Sequence, residues 1–260
     1  MHKIIVPYVD LKDRPCADSG TDTQILQGEG VKMLLSNQAD YHHVEVIQEN
    51  DHYQGYVHKN AVLECDQPVT HRVVTRSTLL FSKPHIKIAA PITLSLGACL
   101  VVTQDVDDVF YKTLCGHYVI KKHLIAFTEY LPFSIDRWIV FLKENFYHAP
   151  YLWGGRSSAG IDCSGLVQLS LQAFGIFLPR DTGPQERFLQ NNILQENIQA
   201  GDIVFWKGHV GIMVNDREFI HANAHHMQTV IEPFKDVVAR SNVPVSSIKR
   251  ISVADVIKKS

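Results

Sequence analysis

From residue 1 to about 127 the apolar positions fall in short runs separated by Gly, Asn and Asp, with no long stretch of helical period. GVKMLLSN, YHHVEVIQEN and YQGYVHKNAVL form one series of strand-like segments. HRVVTRSTLLFS, LGACLVVTQD and VFYKTLCGHYVIKKHLIAF, after Pro68, form a second. Each series runs through an early variable strand, a Gly-led strand, an aromatic-led strand and a Gly-Tyr or Gly-His-Tyr turn into a last short strand. The pattern predicts an internal repeat of roughly 60 residues, each copy the size of a small barrel.

The period changes after Pro132. Ser134 is placed to cap a helix with Asp136 in its first turn, and Ile135, Trp138, Ile139, Leu142 and Phe146 recur at helical spacing up to HAPY. A second helix is predicted after Cys163, burying one side through Leu166, Val167, Ser170, Leu171, Ala173 and Phe174 and stopping at Gly175. A third begins near Pro184, and the strands GDIVFW, HVGIMV and EFIHAN follow. Helices first and antiparallel strands after indicate an α+β domain. The expected divisions are residues 1–64, 65–130 and 131–260.

Composition narrows the function. The 260 residues are 45% hydrophobic and 20% charged, with a net charge of −2, so nothing marks a nucleic-acid partner. No segment has membrane-spanning length, and the apolar run before Pro7 is too short for a secretory core. The five cysteines, an odd number without a C-x-x-C pair, suggest neither a zinc site nor a disulfide framework. A reducing cytoplasm is the simplest expectation, unless a leader has been removed.

Cys163 stands apart from the other cysteines. Cys16, Cys65, Cys99 and Cys115 read as small buried hydrophobes. Cys163 instead opens a helix between Asp162 and Ser164, after the glycine-rich YLWGGRSSAGIDCSG, which lacks the ending of a phosphate loop. There the helix dipole favours a thiolate, and a nearby cationic imidazole would bring its pKa toward ~4 to 7. GHVGIMVNDREFIHAN supplies two histidines for a base and its orienter. A loop with an odd number of residues centred on Asn215 would make His209 and His221 direct cross-strand neighbours. His221 with His225 and His226 is open to a metal or solvated-turn reading, but the absence of an H-E-x-x-H pattern weighs toward catalysis.

PYLWGGRSSAGIDCSGLVQ, RDTGPQ, AGDIVFW, GHVGIMV and FIHAN resemble, in order and approximate spacing, the NlpC/P60 cysteine peptidases, papain-like enzymes that cut cell-wall peptides. The resemblance covers about residues 134–225, and the preceding repeats resemble the bacterial SH3 domains that accompany the γ-D-glutamyl-L-diamino-acid endopeptidases of muropeptide recycling. It implies a papain-like domain behind two SH3-like barrels, with Cys163 as nucleophile, His209 as base and His221 as orienter. It also implies peptide-binding roles for Trp153, Asp162 and Ser164. Asp181 matches the acid of the family's Arg-Asp-Ser segment, implied to receive the substrate's free amine, with Thr182 where Ser is usual. Tyr53 in DHYQGYV matches a tyrosine lent to the substrate site, while His52 and Tyr56 depart from that motif.

The expected substrates are therefore murein-derived peptides with a free N-terminal L-Ala, cut without cofactor or metal. Three rivals stay open: an exported peptidoglycan hydrolase, an amidase or acyltransferase using the same Cys-His-His set, and a wall-binding protein without turnover.

Overall fold

The computed structural model describes residues 1–35, 38–47 and 53–252. The chain forms two compact units, Met1–Tyr130 with Arg156–Ser158, and Leu131–Gly155 with Ala159–Ser260.

The first unit is built almost wholly of antiparallel strands and contains two SH3-like barrels. In the first, His2–Ile4 pairs with both Gly30–Met33 and Val62–Glu64, and Tyr8–Lys12 lies between Thr21–Leu26 and Gln54–His58. The second repeats this wiring. His71–Val73 pairs with Cys99–Leu100 and Leu124–Ala126, and Ser77–Phe81 lies between Ile92–Ser95 and Tyr118–Ile120. A single 3-10 turn, Lys59–Ala61 or Lys121–His123, precedes the last strand of each. The short apolar runs of the sequence supply a small core to each barrel. In the first barrel Ile4, Leu11, Ile25, Val31, Val44, Val46 and Val57 form it, with Tyr53 packed against them.

The second unit places helices against a five-stranded antiparallel sheet, ordered Gln228–Pro233, Glu218–Asn223, His209–Met213, Ile203–Trp206 and Val245–Lys249. Helix α1 spans Ile135–Phe146. The Ser134 hydroxyl accepts the Arg137 N–H at 3.2 Å, as its capping position predicts. Helix α2, Cys163–Gln172, lies against α1 and the sheet, and Gly175 takes the left-handed conformation just past its end. Its one-sided apolar face was too modest an expectation: every residue from Cys163 to Leu171 is buried. Its polar members are therefore bonded internally. Ser170 accepts from the Trp138 indole at 3.0 Å, and the Gln168 amide donates to the Leu178 carbonyl at 3.1 Å.

Helix α3, Thr182–Phe188, follows, and α4, Phe234–Arg240, leaves the Gln228–Pro233 strand. Phe234 and Val237 of α4 join Val204, Trp206, Met213, Phe219 and Ile248 of the sheet in a second apolar layer. Both faces of the sheet are thus covered, which is why its central strands read as apolar runs. Among the described residues no helix is long and apolar enough to cross a membrane.

Candidate active site

Cys163 is the first residue of α2, and Asp162 is its N-cap. The Asp162 carboxylate accepts the Gly165 N–H at 2.7 Å and the Gly154 N–H at 3.0 Å, which ties the glycine-rich approach to the helix start. Gly165 has no room for a side chain. A Cβ there would lie 2.7 Å from the Gly155 carbonyl oxygen and 2.9 Å from Asp162 Oδ1. Arg180, on the segment leading to α3, closes the arrangement with a fork onto Asp162 at 3.0 and 2.6 Å, and donates to the Ser164 hydroxyl at 2.9 Å. The helix start is therefore pinned by a buried ion pair and the hydrogen bonds around it.

The thiol differs from expectation. Burial and the adjoining Asp162 carboxylate push Cys163 up to about 11, against the opposing pull of the Thr182 hydroxyl, the Val210 N–H and Arg180. The sequence suggested a lowered value because a helix N-terminus offers free N–H groups and positive potential. Here the cap carboxylate takes up the Gly165 N–H and places negative charge beside the sulfur. Thr182, at the start of α3, approaches Cys163 Sγ with its hydroxyl at 4.0 Å. Burial also raises Tyr151 to about 12, with Cys163 and Asp162 adding to the effect.

His209 opens the strand that packs on α2, directly before Val210, and His221 lies on the neighbouring strand. His209 Nε2 and His221 Nδ1 are 2.8 Å apart. Burial holds both imidazoles neutral, pulling His209 down to about 3 and His221 to about 4. The expected register needs correction. Ile212 pairs with Ile220 and Met213 with Phe219, so the odd loop is centred on Asp216, and Gly211 rather than His209 faces His221. The histidines are diagonal neighbours. They meet because Gly211 has no side chain: a Cβ there would fall 2.8 Å from the Cβ of His221 and 2.4 Å from the Phe219 ring.

Beyond His221 stands Glu232, 2.8 Å from its Nε2, clasped by Arg240 of α4 at 2.6 and 3.0 Å. Asn223 Nδ2 lies 3.0 Å from the same imidazole nitrogen. A cavity of about 280 Å³ lies beside the two histidines, its lining including Trp206, Asn223, Arg240 and Val243.

The comparisons with known proteins bear on this constellation. Residues 148–244 match the model of the NlpC/P60 family. This segment is an NlpC/P60 domain. The chain is 26% identical over 242 residues to dipeptidyl-peptidase 6 of Lysinibacillus sphaericus, covering 85% of this chain and 86% of that protein. It is 27% identical over 230 residues to the gamma-D-glutamyl-L-lysine dipeptidyl-peptidase of Bacillus subtilis, covering 80% and 74%. An NlpC/P60 family protein from Bacillus cereus ATCC 10987, solved by crystallography, superposes with a TM-score of 0.80 at 20% identity, covering 96% of this chain and 99% of that one. The likeness shows a shared fold, two SH3-like barrels followed by a papain-like α+β domain.

Cys163, His209, His221, Trp153, Asp162, Ser164, Asp181 and Thr182 all lie within the NlpC/P60 segment, whereas Tyr53 belongs to the first unit. Trp153 is 71% exposed and presents its indole at the surface. Asp162 and Ser164 are buried, with side chains engaged by Arg180 and the helix start, so their geometry is that of supports rather than of groups facing a peptide. Asp181, the N-cap position of α3, is exposed. His225 and His226 stand on an exposed turn, His226 3.2 Å from Glu232. His52 lies outside the described residues. Of the four remaining cysteines only Cys99 is buried as expected; Cys65 is half-buried, and Cys16 and Cys115 are exposed.

Arg180, Glu232 and Arg240 escaped the sequence reading. Arg180 had a signal, since it immediately precedes Asp181 in RDTGPQ. Glu232 and Arg240 had none, because their roles arise from strand pairing and helix docking.

Proposed function

We propose that this chain is a cysteine peptidase that hydrolyses the γ-D-glutamyl–L-diamino acid bond of murein-derived peptides. The observation that carries the reading is a cysteine at the head of α2, the helix on which the strand opened by His209 packs, with His209 hydrogen-bonded to His221. The name of the Bacillus subtilis relative, which aligns over 80% of the chain, supports the choice of bond.

In this reading thiol and imidazole rest neutral, and the proton passes from Cys163 to His209 as sulfur attacks the carbonyl carbon. N–H groups near the helix start stabilise the oxyanion. Collapse of the tetrahedral intermediate breaks the C–N bond, His209 gives its proton to the departing amine, and a thioester remains. His209 then takes a proton from water as the water attacks, releasing the carboxylate and the thiol. Asp162, Ser164 and Arg180 act by holding the nucleophile in place.

The biological role we propose is recycling of released peptides, whose free L-Ala amine would pair with Asp181 and which differ in that amine from peptides still joined to muramic acid. A synthetic L-Ala-γ-D-Glu-L-diamino acid tripeptide, digested and analysed by mass spectrometry, tests the reaction. Two products, L-Ala-γ-D-Glu and the diamino acid, are expected from the wild type and neither from Cys163→Ala. A new amide product would indicate acyl transfer, and an intact substrate would overturn the assignment.

A further inference from the structure

We propose that Glu232 is a positioning residue that sets the direction of the proton chain through His221 and His209, in opposition to Asn223. The inference rests on the Cys-His-His reading above. Glu232 Oε1 and Oε2 accept from Arg240, which keeps the carboxylate ionised and therefore an acceptor only. Its 2.8 Å contact with His221 Nε2 then requires a proton on that nitrogen. A neutral His221 carries one proton, so its Nδ1 is bare and accepts from His209 Nε2 at 2.8 Å. His209 is neutral too. Its own Nδ1 is left with a free lone pair, the state a base needs.

Asn223 pulls the other way. Its amide orientation is fixed because Oδ1 accepts the His226 N–H at 2.9 Å, and this turns the Nδ2 donor toward His221 Nε2 at 3.0 Å. Were Asn223 to donate there, His221 would hold its proton on Nδ1 and give it to His209 Nε2. The proton of His209 would then sit on Nδ1, and the base would be lost. A donor, Asn223 Nδ2, and an acceptor, the Glu232 carboxylate, meet at one nitrogen in the structure, and the carboxylate decides its state: it cannot sit 2.8 Å from a bare imidazole nitrogen without lone-pair repulsion.

The test uses the full chain with 15N-labelled histidine. In the wild type, NMR should show the Nε2–H tautomer at both His209 and His221. Glu232→Ala should switch both to Nδ1–H and lower kcat/KM on the tripeptide by on the order of 10²-fold or more, the scale of a wrong tautomer. Glu232→Gln retains an oxygen acceptor and should keep the wild-type tautomers and most of the activity. The double variant Glu232→Ala with Asn223→Ala removes the opposing donor and should recover activity relative to Glu232→Ala alone, a result that simple loss of packing would not give. Unchanged tautomers in Glu232→Ala, or a double variant worse than the single, would overturn the inference. The tautomers are read without substrate, so failure of the peptidase assignment would leave this result standing and recognisable.

Discussion

Replacing Arg180 with methionine isolates what holds the nucleophile's helix. Arg180 is 2% exposed and Asp162 8%, and the fork between them is joined by Arg180's bond to Ser164. Methionine keeps an apolar stem of comparable reach but leaves the carboxylate with two backbone N–H groups and one hydroxyl. A solvent-exposed pair would contribute only ~0–1 kcal/mol. Breaking a buried pair from one side costs ~3–5 kcal/mol, because the surviving charge has lost both water and its counter-ion. Against a domain stability of ~5–15 kcal/mol this is a large fraction. All three tryptophans, Trp138, Trp153 and Trp206, lie in the second unit, so fluorescence-monitored urea unfolding follows that unit selectively. With a slope of ~2 to 3 kcal/mol per molar, Arg180→Met should lower the midpoint by ~1 to 2 M. Adding Asp162→Asn should restore much of the loss, since neutralising both partners removes the stranded charge. A single variant within 1 kcal/mol of wild type, or a double variant whose loss is the sum of the singles, would refute the reasoning.

Acid should weaken the second unit. His209 and His221 sit near 3 and 4 when folded but at ~6.5 when unfolded, so below ~6.5 the unfolded chain takes up protons that the folded chain refuses. The stability they lend is present above that value and lost as pH falls toward 4 and 3; Glu232, lowered to about 2, adds loss in the same direction below ~4.5. Thermal melts from pH 7 to pH 4 should show a falling Tm, and a flat profile would contradict the neutral histidine pair. Gly211→Ala should push Phe219 and His221 apart, cost ~1–3 kcal/mol and reduce kcat more than it raises KM. Asp181 is exposed, so its pairing with a substrate amine is worth ~1 kcal/mol, or about 5-fold in kcat/KM. Asp181→Asn should therefore change the preference for free over N-acetylated tripeptide by less than about tenfold; a change beyond 100-fold would mean the carboxylate is desolvated on binding.

What could be read from the chain alone was whatever depends on neighbours in sequence. Ser134 marks a helix start because capping joins a side chain to an N–H three residues on, and Gly175 marks an end because the left-handed turn there suits glycine. The two barrels announced themselves through repeated short apolar runs, and Cys163 through its place at a helix head. The offset between His209 and His221 was not legible, since asparagine and aspartate both favour turns and moving the loop centre from Asn215 to Asp216 shifts the pairing by two residues. Nor was the state of the thiol. A helix N-terminus argues locally for a thiolate, but burial and the Asp162 carboxylate act through space and prevail. The supports of the site came last of all. Arg180 reaches Asp162 from 18 residues away, and Glu232 and Arg240 meet His221 only after two strands pair and a helix docks. Their meaning is a matter of distance in space, which folding alone supplies.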